Sequence, residues 1–195
     1  MYKLYELFKL CRSCQQYSDD PTQPCYYCND CFEARHPWYR VEHDVIDACL
    51  AMEGNDDLYL LVSRARALSD VLKTEDGENL LQGFKRANNI LSQAEEKDGV
   101  EYAFGADRKF AEEPQENALF DALDAAEQKI VPAMKDEDFV TAMEAMAGLR
   151  APIDAFFEAV QVNSDNQVVR RNRLNLLSRI RDICLQVADL RRVEG

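Results

Sequence analysis

The sequence predicts an all-α protein, a bundle of about six or seven helices preceded by a small cysteine-rich N-terminal extension. From Asp44 onwards, apolar residues recur at intervals of three and four, which is the period of helices that bury one face. After Arg40, no segment shows the apolar–polar alternation of a half-buried strand. Five of the seven cysteines lie earlier, in a polar stretch without an apolar period. We therefore expect an extension over residues 1–40 and a helical domain over residues 41–195.

The spacing of the clustered cysteines predicts a structural zinc site in the extension. The five are Cys11, Cys14, Cys25, Cys28 and Cys31. Two thiolates separated by two residues can bind one metal ion, and two such pairs complete a tetrahedral Zn²⁺ site. The second pair is either Cys25 with Cys28 or Cys28 with Cys31, and the Asn29-Asp30 turn favours the latter. His36 is a further candidate ligand, and an iron–sulfur cluster and unligated cysteines are the alternatives to zinc.

Seven segments of the domain carry helix signals. They cover residues 44–52, 58–72, 74–97, 114–132, 136–146, 150–160 and 165–187. Their boundaries are marked by short polar side chains that cap helices, by glycines that end them and by prolines that begin or bend them. The expected boundary residues are Asp56 or Asp57, Thr74, Gly99, Pro114, Pro132 and Asp136. We expect the loop over 100–112 to hold Tyr102, Phe104 and Phe110 against the bundle.

The last two helices form the stretch around which the domain is organised. The first of them is expected to begin at Arg150, with Pro152 in its first turn. Proline is tolerated there because an N–H in the first turn has no partner within the helix. After a polar corner, Ser164 or Asp165 is expected to cap the second. Each helix has one apolar face, so we expect Phe156 and Leu177 to be buried where the two helices meet.

Charge is unevenly distributed along this acidic chain. The formal net charge is −13, but residues 170–192 carry seven Lys/Arg against two Asp/Glu, so this run is net +5 and the remainder is −18. Such a chain is not a general nucleic-acid binder, although it can meet RNA at one basic face. The alternative is that these arginines solvate a surface helix and pair with neighbouring carboxylates.

The sequence shows no membrane segment and no enzyme signature. It has no apolar, uncharged run of about 18 residues, and its first ten residues do not form a secretory signal, so the expected compartment is the cytoplasm. There is no Gly-rich phosphate loop, Ser/His/Asp set or HExxH motif. We therefore expect no catalytic residue in this chain and no cofactor for the helical domain.

Several segments of the domain resemble one known family. They are VEHDVIDACLA (41–51), EDGENLLQGFKRANNIL (75–91), LRAPIDAFF (149–157), VQVN (160–163), RRNRLNLLSRIR (170–181) and RVEG (192–195). In this order they resemble the C-terminal anticodon-binding domain, of the DALR type, of the bacterial tetrameric glycyl-tRNA synthetase β subunit. The resemblance covers residues 41–195 and does not extend to the first 40 residues, so the zinc site is predicted from cysteine spacing alone.

The resemblance implies a tRNA-binding module that supports glycyl-tRNA aminoacylation. The chain resembles part of a glycine–tRNA ligase, but the family's catalytic motifs reside mainly in the other subunit. The implied partners are glycine tRNA and either a synthetase α subunit or the rest of a β subunit, with no membrane partner. The competing hypothesis is a zinc-stapled protein-interaction module derived from the same helical scaffold, which the acidic body and the unusual extension favour.

Nine residues are candidates for RNA contact. They are Lys85, Arg86, Asn89, Arg150, Asn163, Arg170, Arg171, Asn172 and Arg173. Arginines bind phosphates or stack on bases, and asparagines can read the edges of unpaired bases. For Asn163 and Asn172, helix capping or buried hydrogen bonding is an equal alternative, and Arg150 can instead form an internal salt bridge.

Overall fold

The computed structural model describes residues 41–52 and 57–194. Its α-helices are α1 (His43–Leu50), α2 (Leu58–Leu72), α3 (Glu75–Asp98), α4 (Pro114–Lys135), α5 (Phe139–Ala147), α6 (Arg150–Ala159) and α7 (Gln167–Val187), with 3-10 turns at Arg108–Phe110 and Leu190–Arg192. No strand occurs in these two ranges, so the predicted all-α fold is confirmed. None of the described helices is long and apolar enough to cross a membrane. The candidate zinc ligands lie outside the described residues, and the zinc site and the boundary at residue 40 stay predictions.

Four of the expected helix boundaries are confirmed. The Asp57 carboxylate caps α2 by accepting the backbone N–H groups two and three residues later. The Thr74 hydroxyl accepts the N–H of Gly77 at 3.1 Å and so begins α3. Gly99 ends α3 with φ at 66°, a left-handed conformation that glycine adopts without strain. Pro114 is the first residue of α4, as its missing N–H permits.

The boundary between α4 and α5 differs from the prediction. Pro132 does not end α4, which continues to Lys135. Its ring removes one N–H hydrogen bond, but the next turn still forms and the Asp136 N–H donates to the Pro132 carbonyl at 2.9 Å. The chain then turns through Glu137, whose φ is 60°. As a result Asp138 rather than Asp136 caps α5, by accepting a backbone N–H in its first turn.

The cap of α7 also lies later than predicted. Asn166, rather than Ser164 or Asp165, accepts the N–H groups of Val168 and Val169. The Ser164 hydroxyl accepts the N–H of Asn166 at 3.2 Å. Ser164 therefore shapes the corner before the helix, and the amide of Asn166 reaches the first free N–H groups.

Both α6 and α7 pack against α3 and α4. α5 packs against α4 and α2, and α1 packs against α2. Phe156 and Leu177 are fully buried, as predicted. However, α6 and α7 have α3 and α4 as their main partners, so the interface predicted between the last two helices is not the main one. An apolar stripe identifies a buried face without identifying the helix opposite.

Two further cysteines, Cys49 in α1 and Cys184 in α7, are buried as free thiols. Burial raises the pKa of the Cys49 thiol to about 11 and that of the Cys184 thiol to about 12. Both thiols therefore stay protonated at neutral pH and pack as small apolar side chains.

Candidate nucleic-acid interface

Most arginines of the basic run are engaged by carboxylates of the same domain. The outer pairs are Arg179 with Asp124 and Glu127, Arg181 with Glu95, and Arg191 and Arg192 with Asp189. Asp124 and Glu127 belong to α4, and Glu95 belongs to α3. The contacts of Arg179 and Arg181 hold α7 to α4 and α3. All of these contacts together neutralise much of the basic run.

Arg173 is buried in the interior, at 5% exposure. Its Nε and Nη2 donate to the two carboxylate oxygens of Glu116 at 3.0 and 3.1 Å, and its Nη1 donates to the backbone carbonyl of Gln161 at 2.9 Å. Glu116 is fully buried, and its Oε2 also accepts the backbone N–H groups of Glu112 and Glu113, each at 2.9 Å. Desolvation acts to raise the pKa of Glu116, but Arg173 and the two N–H groups together hold it below its ordinary value. The pair joins α4, α7 and the corner after α6.

Arg170 holds the start of α7 to the end of α3. Its Nη1 donates to Asp98 Oδ2 at 2.7 Å, and its Nε donates to Asn163 Oδ1 at 3.3 Å. The Tyr102 hydroxyl donates to the same oxygen of Asp98 at 2.5 Å. The hydrogen bonds from Tyr102 and Arg170 lower the pKa of Asp98. Two predicted RNA contacts, Asn163 and Arg170, are therefore brought together and linked to an acidic residue.

Beside the first turns of α7 lies a cleft of about 670 Å³, which we call the α7 cleft. Its lining includes Asp98, Tyr102, Phe104, Phe110, Val168, Arg170, Arg171, Asn172 and Asn175. Of the three loop aromatics expected to pack on the bundle, Tyr102 is buried, whereas Phe104 is 80% exposed and Phe110 is 38% exposed. The volume lies within the range of clefts that bind small ligands.

Arg171 faces this cleft without a carboxylate partner. In the described ranges it is the one arginine of the run 170–192 that forms no ion pair. Its guanidinium carbon lies 5.8 Å from the centroid of the Phe104 ring. An exposed aromatic ring and an exposed guanidinium plane therefore lie together at the mouth of the cleft.

Two asparagines of α7 line the cleft and are more than nine-tenths buried. Asn172 is 4% exposed and Asn175 is 7% exposed. Asn172 Oδ1 accepts the backbone N–H of Asp107 at 2.8 Å and so ties the loop to α7. Asn172 Nδ2 and Asn175 Oδ1 have no hydrogen-bond partner within the described part of the chain.

The other candidate residues do not line the α7 cleft. Lys85 Nζ donates to the backbone carbonyl of Glu194, and Arg86 lies 4.4 Å from the centroid of the Phe157 ring. Asn89 is exposed on α3. Arg150 donates to Asp76 at 2.7 Å, which is the internal salt bridge weighed as its alternative role.

A comparison with known families decides what kind of domain this is. The model of the DALR anticodon binding domain matches residues 80–190, more than half of the chain. The chain belongs to the DALR anticodon-binding domain family. The matched range includes every residue that lines the α7 cleft.

Curated relatives of this DALR domain agree with the resemblance drawn from its motifs. The chain is 74% identical over 155 residues to the glycine–tRNA ligase beta subunit of Dinoroseobacter shibae, over 80% of this chain and 22% of the relative. Identity is 75% over 155 residues to that of a Ruegeria species, over 80% and 23%. It is 48% over 156 residues to that of Rhodospirillum centenum, over 80% and 22%. The chain therefore spans less than a quarter of the length of these relatives.

The DALR domain also contains site residues that the sequence did not reveal. Phe104 is predicted to pack against the bundle, and the residues around Asn175 do not distinguish it from other helical asparagines. Nothing in the sequence around Asp98 indicates that it binds an arginine 72 residues away. The sequence offers no signal for Phe104, because Tyr102 in the same loop is also aromatic and is buried.

Proposed function

We propose that this domain binds tRNA as the anticodon-binding part of a glycine–tRNA ligase β subunit. In that role it supports the attachment of glycine to its tRNA without supplying an active site. Family membership and the names of its relatives support the class of ligand. Because the chain spans 22% of the length of such a relative, we expect the rest of a β subunit or an α subunit to carry the chemistry, in the cytoplasm.

The observation that carries the proposed mode of binding is the pairing of Phe104 and Arg171 at the mouth of the α7 cleft. Sequence-specific RNA recognition uses loops whose unstacked bases stack on aromatic rings and guanidinium planes. Each such stack contributes about 1–3 kcal/mol to binding. An anticodon loop is a single-stranded loop of this kind, and the exposed ring offers it a stacking surface.

The ion pairs around the cleft make it a rigid surface rather than a flexible basic arm. Arg170 and Arg173 are held by Asp98 and Glu116, and the Asp107 backbone is held by Asn172. A binding surface that is already ordered loses less conformational entropy on association. We therefore expect shape and stacking to contribute more to RNA binding than net charge does.

The salt dependence of binding tests this view. If all seven arginines of residues 170–192 bound phosphates, the slope of log K against log salt would be about −5 for a single strand. Because six of them are already paired, we expect a slope of about −1 to −2.

The decisive experiment is an electrophoretic mobility shift of the full chain with glycine tRNA and with a non-cognate tRNA, at stated salt. Phe104→Ala and Arg171→Ala should each weaken binding of glycine tRNA about tenfold, as loss of one stacking contact implies. Tyr59→Ala is the matched control for Phe104, since Tyr59 is 78% exposed on α2, and Lys135→Ala is the control for Arg171. Neither control should change binding.

The protein-interaction module is the second candidate function, and the internal pairing of the α7 arginines favours it. A domain whose cations are already neutralised has less attraction for a polyanion. If neither tRNA binds at low salt, the tRNA-binding proposal fails and the interaction module takes its place. If tRNA binds but Phe104→Ala and Arg171→Ala bind it like their controls, the proposed stacking mode fails.

A further inference from the structure

A groove of about 510 Å³ lies beside α2 and α5, two helices that pack against each other, and we call it the α2–α5 groove. Its apolar lining residues are Ala67, Val71, Val140 and Ala147. Val140 is 57% exposed, although α5 buries four other apolar side chains. Single exposed apolar residues are common on protein surfaces, but here several adjoin one concave surface. The domain therefore has a partly apolar groove separate from the α7 cleft.

The shape of the α2–α5 groove suits a helix. Ala67 and Val71 lie four residues apart on α2, and Val140 and Ala147 lie two turns apart on α5, so each pair shares a side of its helix. Gly148 also lines the groove, and a Cβ built there would meet only backbone oxygens of α5, at 3.4 and 3.7 Å. Two neighbouring helices with small residues between them can accept the side chains of a third helix.

The groove also carries negative charge that the domain leaves unpaired. Its acidic lining residues are Asp70, Asp76 and Glu144. Arg150 binds Asp76 at 2.7 Å. Asp70 and Glu144 are exposed, and neither forms an ion pair within the described ranges. An apolar groove with free carboxylates complements a segment whose apolar side chains are flanked by Lys or Arg.

The size of the groove indicates what kind of partner can occupy it. Nine residues line it, whereas a stable interface between free proteins uses about 20–30 residues on each side. A segment of the same polypeptide needs less contact, because a linker holds it near the groove at an effective concentration of about 1 mM. This chain spans 22% and 23% of the length of two relatives, so most of such a β subunit lies outside this domain. A tethered segment of that remainder therefore fits the groove better than a free protein does.

We propose that the α2–α5 groove holds a basic amphipathic helix from the rest of the β subunit. The apolar side of that helix packs on Val71 and Val140, and its Lys or Arg side chains lie at Asp70 and Glu144. This inference rests on the part of the proposed function that places the domain in a β subunit, and it does not depend on tRNA binding. It gives part of the acidic surface a role, which is to hold the domain against the remainder of the subunit.

The test is an NMR titration of the isotope-labelled full chain with overlapping peptides of about 20 residues, long enough for about five helical turns. The peptides cover the β subunit of Dinoroseobacter shibae outside the 155 residues that match this chain. Peptides from one segment should bind with a Kd below about 1 mM, the effective concentration that a linker supplies. That segment should carry net positive charge and apolar residues at helical spacing, and it should shift the signals of Val71, Val140 and Gly148.

Two variants alter the groove in different ways. Gly148→Leu fills it, and because φ at this residue is −61°, leucine adopts the same backbone conformation without strain. It should weaken peptide binding at least about tenfold, while the melting temperature equals or exceeds that of the parent. Asp70→Lys with Glu144→Lys places cations against a basic helix and should also weaken binding at least about tenfold.

Each variant has a matched control at exposed positions outside the groove. Ala118→Leu on α4 adds the same side chain as Gly148→Leu. Glu96→Lys with Glu158→Lys changes the net charge by the same amount as the double variant of the groove. Both controls should bind the peptides within about twofold of the parent.

Several results would overturn the proposal. They are that no peptide binds below about 1 mM, that the bound peptides lack net positive charge, or that the groove variants bind like their controls. Binding by peptides of the α subunit instead would assign the groove to another occupant and overturn it too. So would self-association of the parent chain in sedimentation that Gly148→Leu abolishes.

A mobility shift with glycine tRNA separates this proposal from the proposed function. The groove variants should bind tRNA like their controls, because the α2–α5 groove and the α7 cleft share no lining residue. If tRNA binds and no peptide does, the docking proposal alone fails. If a peptide binds in the groove and no tRNA binds, the tRNA-binding function fails and the docking surface stands.

Discussion

The buried pair between Arg173 and Glu116 makes a strong prediction about stability. Arg173→Ala removes two hydrogen bonds and the opposite charge from a carboxylate that is fully buried. Removing one partner of a buried ion pair costs about 3–5 kcal/mol, because the remaining charge is left without compensation. The two backbone N–H groups that Glu116 retains place the expected loss at the lower end, about 3 kcal/mol. That is a large part of the stability of a domain, about 5–15 kcal/mol.

Urea unfolding followed by circular dichroism measures this loss. With a denaturant slope of about 2 kcal/mol per molar, a loss of 3 kcal/mol lowers the midpoint by about 1.5 M. The neighbouring substitution Arg171→Ala is the control, because Arg171 is exposed and forms no ion pair in the described ranges. It should change the free energy of unfolding by less than about 0.5 kcal/mol while it weakens RNA binding.

The pH dependence of the loss identifies its cause. In the parent, the pKa of Glu116 lies below its ordinary value, so the pair stabilises the fold above that value and the stabilisation is lost as pH falls. Without Arg173, burial should raise the pKa of Glu116, so the variant becomes less stable as pH rises. Both effects make the difference between the two proteins smaller at about pH 4 than at pH 7.

A double variant separates the buried charge from lost packing. In Glu116→Gln with Arg173→Met, the glutamine oxygen can still accept the N–H groups of Glu112 and Glu113, which both donate to one carboxylate oxygen. Uncharged replacements of a buried pair are often neutral, so this variant should recover most of the loss. A loss below about 1 kcal/mol for Arg173→Ala, or an equal loss at both pH values, would refute the role assigned to the pair.

Three further predictions concern the core, the extension and the α3–α7 contact. Phe156→Ala should lower the free energy of unfolding by about 3–5 kcal/mol, measured by urea denaturation, and a loss below about 1 kcal/mol would contradict the burial of this ring. Metal analysis of the purified full chain should find about one zinc ion per chain. Cys14→Ser should release the zinc without changing the helical circular dichroism signal, and metal-free parent protein would contradict the zinc site. Arg170→Ala should raise the pKa of Asp98, followed by carboxyl NMR, towards but not up to its ordinary value, since the Tyr102 hydroxyl remains. The Asp98 contact stabilises the fold above that ordinary value and weakens as pH falls, and an unchanged midpoint would contradict the contact.

The sequence by itself determined the local features of the domain. Caps such as Thr74 and Asp57 act through backbone groups two or three residues away, and Gly99 acts through its own φ angle. Apolar residues at helical spacing identified Phe156 and Leu177 as buried. All of these signals depend on neighbours in the chain, and the ordered motifs added the family.

Only the tertiary structure decided which side chains meet across the bundle. Arg173 and Glu116 are 57 residues apart in the chain, Arg170 and Asp98 are 72 apart, and the loop bond to Asn172 spans 65. A periodic pattern predicts which face of a helix is buried, but it does not predict which carboxylate lies opposite on the neighbouring helix. Six of the seven arginines in residues 170–192 pair with carboxylates of the domain, which is the alternative to a basic RNA-binding face that the sequence left open. One guanidinium was left beside an exposed ring at the cleft, because the packing of α7 against α3 and α4 determines where each charge finds its partner.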